Sequence, residues 1–362
     1  MGIFIAFLIL SFLIFFHELG HFVTARFFGV QVDVFSIGFG KKVFSKRIGK
    51  TEWSISSIPL GGYVKMKGQD DVNPIAKSND RDSYSSKAPW QRIIILLAGP
   101  FANFLVAFLL YFGISQIGTP LSPLFNYSHY IEPIVGSFSD NSPAKKIGLK
   151  DGDKILEVNN KKIDNWEDIG KTIQNSKQDS LHFRVLRENG VVLEFDIKPI
   201  VKEQKNRFGE LIKRKLVGIA PKVSNIKLEF SPFEGLIFAW NETIHASTLI
   251  FQSIQKLIMG SVPANQLGGV ISIMDVTAKA SQSGILPLLF FTALISVNLG
   301  VLNLLPIPAL DGGHITFNIY EMVTGKAPNE EIAYRLTLIG WAVLLSVMLL
   351  GLYNDIHRLI TG

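Results

Sequence analysis

The chain of 362 residues has no cysteine, so disulfides, thiolate catalysis and cysteine-type zinc sites are excluded at once. It is also poor in charge: Asp, Glu, Lys and Arg make up 18% of residues, against roughly 25% in soluble proteins, while 48% are hydrophobic. The shortage is concentrated. No charged residue falls between positions 93 and 131 or between 280 and 310, and runs of that kind belong in a bilayer. The formal charge of +6 does not point to nucleic acid, because residues 25–92 hold 12 Lys and Arg against 6 Asp and Glu while the rest of the chain is balanced. A basic segment between two apolar spans is what a cytoplasmic loop looks like. No interleaving of aromatic and basic residues accompanies it, so no nucleic-acid partner is expected.

What is present is a set of apolar spans. Gly2 to Phe16 lacks a basic leading segment and a small-residue cleavage site, so it is expected to be a retained span running to about residue 28. Further spans are expected at 93–117, 284–310 and 336–353, each long enough to cross about 30 Å of hydrocarbon. Four crossings put both termini on one side. The loop 29–92 lies on the cytoplasmic side because Arg26, Lys41, Lys42, Lys46, Arg47, Lys50, Lys65, Lys67, Lys77, Arg81, Lys87 and Arg92 cluster around it. The regions 118–227 and 354–362 then face the opposite side, and 311–335 is a cytoplasmic-side loop.

Within the basic loop, 34–40 and 53–64 alternate, favour β-structure and carry glycines, which predicts two or more strands with a turn near Lys46 to Thr51. Residues near 130–200 read as a small soluble domain. It has strands at 155–158 and 181–185, a helix at 166–173 and a turn at Gly148-Leu149-Lys150-Asp151-Gly152-Asp153. In 228–283, Asn241, Glu242, His245, Gln252, Gln255 and Lys256 recur at helical spacing from 231 to 259, predicting an amphipathic helix that lies in the interface or against the bundle rather than spanning.

The sharpest motif is His17-Glu18-Leu19-Gly20-His21, inside the first span. Histidines four apart share a helix face and can share a metal, with the intervening Glu close enough to handle a proton. Polar groups at that depth cost about 2.5–3.5 kcal/mol for a central charge and need a partner. The bland alternative is that the two imidazoles only hydrogen-bond neighbouring helices. Catalytic zinc keeps three protein ligands and an open position, so a third must come from elsewhere. Asp311, in Leu310-Asp311-Gly312-Gly313-His314 after Pro306 and Pro308, is the candidate, because proline and paired glycine break the helix there. His314 is its rival. Asn303 stands eight residues earlier and either orients a substrate carbonyl or joins helices; for Asn298 and Asn103 helix packing is the expected role.

These residues together resemble the site-2 protease family of intramembrane zinc proteases. The resemblance is carried by HELGH at 17–21, SIGFG at 36–40, PLGGYVKM at 59–66, AGPFANF at 98–104 and NLLPIPALDGGH at 303–314. It is closest to the bacterial branch of the regulator of sigma-E protease. It implies a polytopic α-helical membrane fold of about four transmembrane helices with a membrane-re-entrant β-hairpin and one inserted α/β PDZ domain at about 133–200. One Zn2+ per chain is implied on His17, His21 and Asp311, with Glu18 as catalytic acid/base and His314 not a ligand. Asn303 and the hairpin glycines Gly38, Gly40, Gly61 and Gly62 become substrate-binding residues. The implied partners are the lipid bilayer and single-pass transmembrane substrates, anti-sigma-factor-like proteins or remnant signal peptides. The implied place is the bacterial inner membrane, with the PDZ domain outside the cytoplasm gating access. A non-catalytic PDZ-bearing scaffold is the alternative; a transporter is disfavoured because no inverted repeat is evident.

Overall fold

A computed structural model describes residues 2–69, 80–120, 127–206, 210–222, 227–228 and 230–361. Lys77, counted above among the basic loop residues, lies outside them. The chain divides into two compact units, Met1–Ile117 with Phe230–Gly362, and Gly118–Glu229.

The first unit begins with α1 (Gly2–Phe27), which carries no charged residue and, apart from Ser11, no polar side chain before His17. Two strands follow, β1 (Val32–Ile48) and β2 (Thr51–Met66), joined by a tight turn at Gly49-Lys50. They form an antiparallel pair, but both are bent, β1 where Gly38 and Gly40 adopt a φ of 87°. Val34–Ile37 therefore sits between two runs of β2. It pairs in falling register with Gly62–Lys65 and in rising register with Glu52–Ile55, while Phe44–Ile48 close the hairpin on Thr51–Ile55. The expected hairpin is thus folded back on itself into a small sheet. Phe35 and Trp53 stack at 4.5 Å on its inner face, where Phe15 and Phe22 of α1 pack against them. Then comes α2 (Pro89–Ile117), which crosses back beside α1. It starts four residues before the expected span.

The second unit starts with β3 (Thr119–Pro120) and β4 (Val135–Phe138), then α3 (Pro143–Lys146), β5 (Lys154–Val158), β6 (Lys161–Lys162), α4 (Trp166–Asn175), β7 (Leu181–Leu186), β8 (Val192–Ile197), β9 (Ile200–Lys205), β10 (Leu211–Leu216), β11 (Ile219–Pro221) and β12 (Lys227–Leu228). Four strands make a sheet in the order β6-β5-β7-β8. Leu181, Phe183 and Val185 alternate inward with His182 and Arg184 outward, the period of two that a half-buried strand requires. With Ile155, Val158, Ile169 and Ile197 they form the core. That core takes in Val217, and β11 pairs with β4, so the packed unit runs beyond residue 200. The Gly148–Asp153 turn is held by Asp153, whose carboxylate accepts from the Lys150 backbone N–H at 2.8 Å and from Arg187 Nε and Nη2, both at 2.9 Å. Burial opposes ionisation of Asp153, but Arg187 and the backbone N–H outweigh it and hold the carboxyl below its usual range.

The chain re-enters the first unit with α5 (Pro232–Ile258), whose start is fixed by a capping box between Ser231 and Glu234. Next come α6 (Val270–Ser283), α7 (Ile285–Asn303), α8 (Asp311–Thr324) and α9 (Glu330–Thr361). The stretch expected as a loop from 311 is helical through Thr324: Asp311 opens α8 rather than ending a span. At α9, Asp355 accepts from the Gly269 and Ser272 backbone N–H groups, both at 3.0 Å, and from the Ser272 hydroxyl, tying the head of α6 to α9. Four helices, α1, α2, α7 and α9, are long and apolar enough to cross a membrane, and α5 is not among them. Their outward faces carry Phe4, Leu8, Phe101, Leu109, Ile339 and Leu345. This is a multi-pass membrane protein.

Candidate metal centre

His17 and His21 stand one turn apart on the face of α1 that meets α2, and Asp311 reaches them from the first turn of α8. The two Nε2 atoms are 3.2 Å apart, and Asp311 Oδ2 lies 3.3 Å from His17 Nε2 and 3.5 Å from His21 Nε2. Metal–ligand bonds of about 2.0–2.1 Å in a tetrahedron place neighbouring donors about 3.3–3.4 Å apart, so the three edges match one face of a zinc tetrahedron. Asp311 Oδ2 is buried and takes part in no hydrogen bond. An orphaned carboxylate oxygen converging on two imidazole nitrogens fits a divalent cation, and the donor set of two His and one Asp fits zinc. Among the described residues no other His, Asp or Glu group of three converges in this way.

The helices around the donors are spaced to suit them. Because α1 and α2 run antiparallel, chain order reverses across their contact: His21 meets Ile95 and Gly99, while His17 meets Asn103. His21 Nδ1–H donates to the Ile95 carbonyl at 2.8 Å, which leaves its Nε2 lone pair for the metal. A Cβ on Gly99 would lie 2.2 Å from that Nε2, so only glycine lets α2 pass the ring. Asn103 Nδ2 is 3.1 Å from His17 Nδ1, and Asn303 Nδ2, at the end of α7, is 3.5 Å from His17 Nε2.

A cavity of about 520 Å³ opens onto the donors, and Glu18 and Asn303 line it with largely apolar neighbours. One wall is the Gly61–Val64 run of β2; Val270 and Ile273 of α6 and Trp341 of α9 form others. Gly62 crosses so near Glu18 that a Cβ there would stand 3.2 Å from the Glu18 Cγ and 2.9 Å from the Ser36 carbonyl. Of the residues singled out from sequence, the fold gathers His17, Glu18, His21, Asp311, Asn303, Gly61 and Gly62 at one cavity. Gly38 and Gly40 lie instead at the bends of β1 and do not line it. His314 lines the cavity one turn along α8 from Asp311 but outside the donor triangle, edge-on to Phe317. Asn298 does not line it.

Asn103, expected only to pack helices, touches a donor imidazole. A signal for it existed: Gly99 and Asn103 repeat the four-residue spacing of His17 and His21 on the facing helix. Gln69 and Trp341, which also line the cavity, carry no motif that sequence reasoning could use.

The family model described as peptidase family M50 matches residues 5–347. The chain is 45% identical over 354 residues to "Putative zinc metalloprotease Cj1068" of Campylobacter jejuni, covering 98% of this chain and 92% of that protein. A "Putative zinc metalloprotease" of Helicobacter pylori is 40% identical, with 98% and 99% covered, and "Putative zinc metalloprotease CA_C1796" of Clostridium acetobutylicum is 35% identical, with 98% and 97% covered.

Proposed function

The chain belongs to peptidase family M50, and from that premise we propose that it is an intramembrane zinc endopeptidase of the site-2 type, cutting peptide bonds within transmembrane segments. The observation that carries the reading is the His17, His21 and Asp311 triangle, set beside Glu18 in a cavity walled by apolar helices. The relatives' printed names, which say zinc metalloprotease, support it.

His17, His21 and Asp311 would hold the zinc, which would supply Lewis acidity toward a water and a substrate carbonyl. Glu18 accepts the proton of the attacking water and returns it to the leaving amine. Asn303 Nδ2, at the edge of the triangle, donates a hydrogen bond to the carbonyl oxygen as negative charge develops on it. A helical substrate keeps its scissile carbonyl in its own hydrogen bonds, so it must be unwound and given new partners. The Gly62–Met66 run supplies them: it pairs with Val32–Ile37 on one side, and among the described residues nothing pairs with its other edge. An unwound segment adds there as a further strand, and residues that weaken helices are favoured near the cut.

We read residues about 133–200, within the unit 118–229, as a single PDZ-type domain outside the cytoplasm that screens substrates. The enzyme sits in a bacterial inner membrane with its basic 29–92 loop in the cytoplasm, as in the branch of the regulator of sigma-E protease. Its substrates are single-pass membrane proteins of the anti-sigma-factor kind or remnant signal peptides. The test is cleavage of a transmembrane peptide in vesicles by wild type and by Glu18→Gln. Cleavage is expected only from wild type, whereas equal cleavage, or none from either, overturns the reading.

A further inference from the structure

The two donor histidines are oriented by different means, and the difference assigns a role to Asn103. A neutral imidazole carries one N–H, so a ring that ligates through Nε2 must hold its proton on Nδ1. A buried N–H needs an acceptor. For His21 that acceptor is a backbone carbonyl, Ile95 O, which no side-chain substitution removes. For His17 the group facing Nδ1 is the amide of Asn103, fully buried on α2.

The amide presents Nδ2 to His17 Nδ1 at 3.1 Å, and its Oδ1 is buried without a hydrogen-bond partner. With the proton on Nδ1, that orientation would set two donors against each other. A half-turn about the Cβ–Cγ bond exchanges them at no steric cost, because the two ends of an amide have nearly the same size. Oδ1 then accepts from Nδ1–H, and Nδ2 moves to the place where Oδ1 had no donor. The backbone of Asn103 is itself anchored, since the Ser296 hydroxyl of α7 donates to its carbonyl at 2.7 Å.

We propose that Asn103 is the positioning residue for His17: its Oδ1 accepts the Nδ1–H and so fixes the tautomer whose Nε2 lone pair faces the metal. It acts through His17 and does not touch substrate. The inference rests on the zinc reading above and concerns affinity for the ion rather than the hydrolytic step. Loss of such an outer partner typically costs about 10–100-fold in metal affinity.

The experiment is zinc competition with a chromophoric chelator on full-length protein in detergent, comparing wild type, Asn103→Leu and Asn103→Asp, with melting in excess chelator to show that each is folded. Leucine fills the space without accepting, whereas a carboxylate accepts. The expected result is zinc affinity about 10–100-fold weaker for N103L and close to wild type for N103D. A residue that only packs helices would give the reverse, because a new charge in an apolar contact disturbs packing more than leucine does. Wild-type affinity in N103L, or equal losses in the two variants, overturns the assignment. If N103L melts early in chelator, Asn103→Ser takes its place, its hydroxyl being too short to reach the ring. Wild type that binds no zinc removes the reading beneath the inference, whereas zinc-binding wild type with undiminished N103L removes the inference alone.

Discussion

The two units of this chain differ in what their surfaces expose and in how many polar side chains they bury. In 118–229 the interior is Ile155, Val158, Leu181, Phe183, Val185 and Ile197, and charges such as Arg184 lie outside. In the other unit His21, Asn103, Ser296, Asn354 and Asp355 are buried beside apolar Leu13, Phe35 and Ile95, while Phe4 at 66% and Ile339 at 59% exposure face outward. The difference follows from the solvent on each side. Water rewards apolar interiors, whereas hydrocarbon is indifferent to apolar side chains and drives polar ones together. The same segregation that stabilises the lipid-facing unit therefore concentrates metal donors and a proton carrier at its centre.

The largest expected effect comes from the edge of β2, where the proposed strand addition takes place and where, among the described residues, no strand pairs with Gly62–Met66 on the side away from β1. Proline placed in turn at Tyr63 and Val64, whose amides face opposite sides of the strand, should abolish cleavage at the position whose N–H faces the cavity while zinc stays bound. Cleavage that survives both substitutions would remove strand addition from the mechanism.

The comparison itself is sharpened by placing one charge in each unit. Leu345→Lys, at the middle of α9 on an outward face, should cost about 2.5–3.5 kcal/mol of membrane insertion, whereas Val192→Lys in the unit 118–229 should stay within about 0.5 kcal/mol of stability. Insertion and melting assays that find equal effects would contradict a lipid-facing α9.

A smaller effect is expected at Asp153. Its carboxyl is depressed below the unfolded value of 3.8, so its contribution is fully present above that value and disappears as pH falls through the lower folded one. Asp153→Asn should lower the melting temperature of the unit 118–229 by several degrees near neutrality and flatten its acid dependence. An unchanged acid profile would show that the Arg187 pair does not stabilise the turn. The smallest effect on chemistry is expected from replacing 118–229 by a short flexible linker. Hydrolysis of a bare transmembrane peptide should persist while discrimination between trimmed and untrimmed substrates weakens; discrimination that remains strict would count against screening by that unit.

Much of the site was legible because it is written in local spacing. His17, Glu18 and His21 declare themselves at i, i+1 and i+4, and Asp311 follows a proline-broken run in a chain with few intramembrane carboxylates. What escaped depends on partners far along the chain. Asn103 meets His17 across 86 residues, and Ile95 contributes a backbone carbonyl that leaves no trace in its side chain. The helix α8 was hidden because Asp-Gly-Gly reads as a breaker, although its first turn is where an acidic residue suits the helix dipole. The rising register inside the β1–β2 pair depends on the bend at Gly38 and Gly40 rather than on alternation along either strand.

The most direct measurement is the metal content of full-length protein purified in mild detergent, set beside its ability to cut a transmembrane peptide. One zinc per chain is expected in wild type, with zinc and cleavage both lost on replacing His17, His21 or Asp311 by alanine. Active wild type without stoichiometric metal, or cleavage that survives His21→Ala, would contradict the assignment of these three side chains.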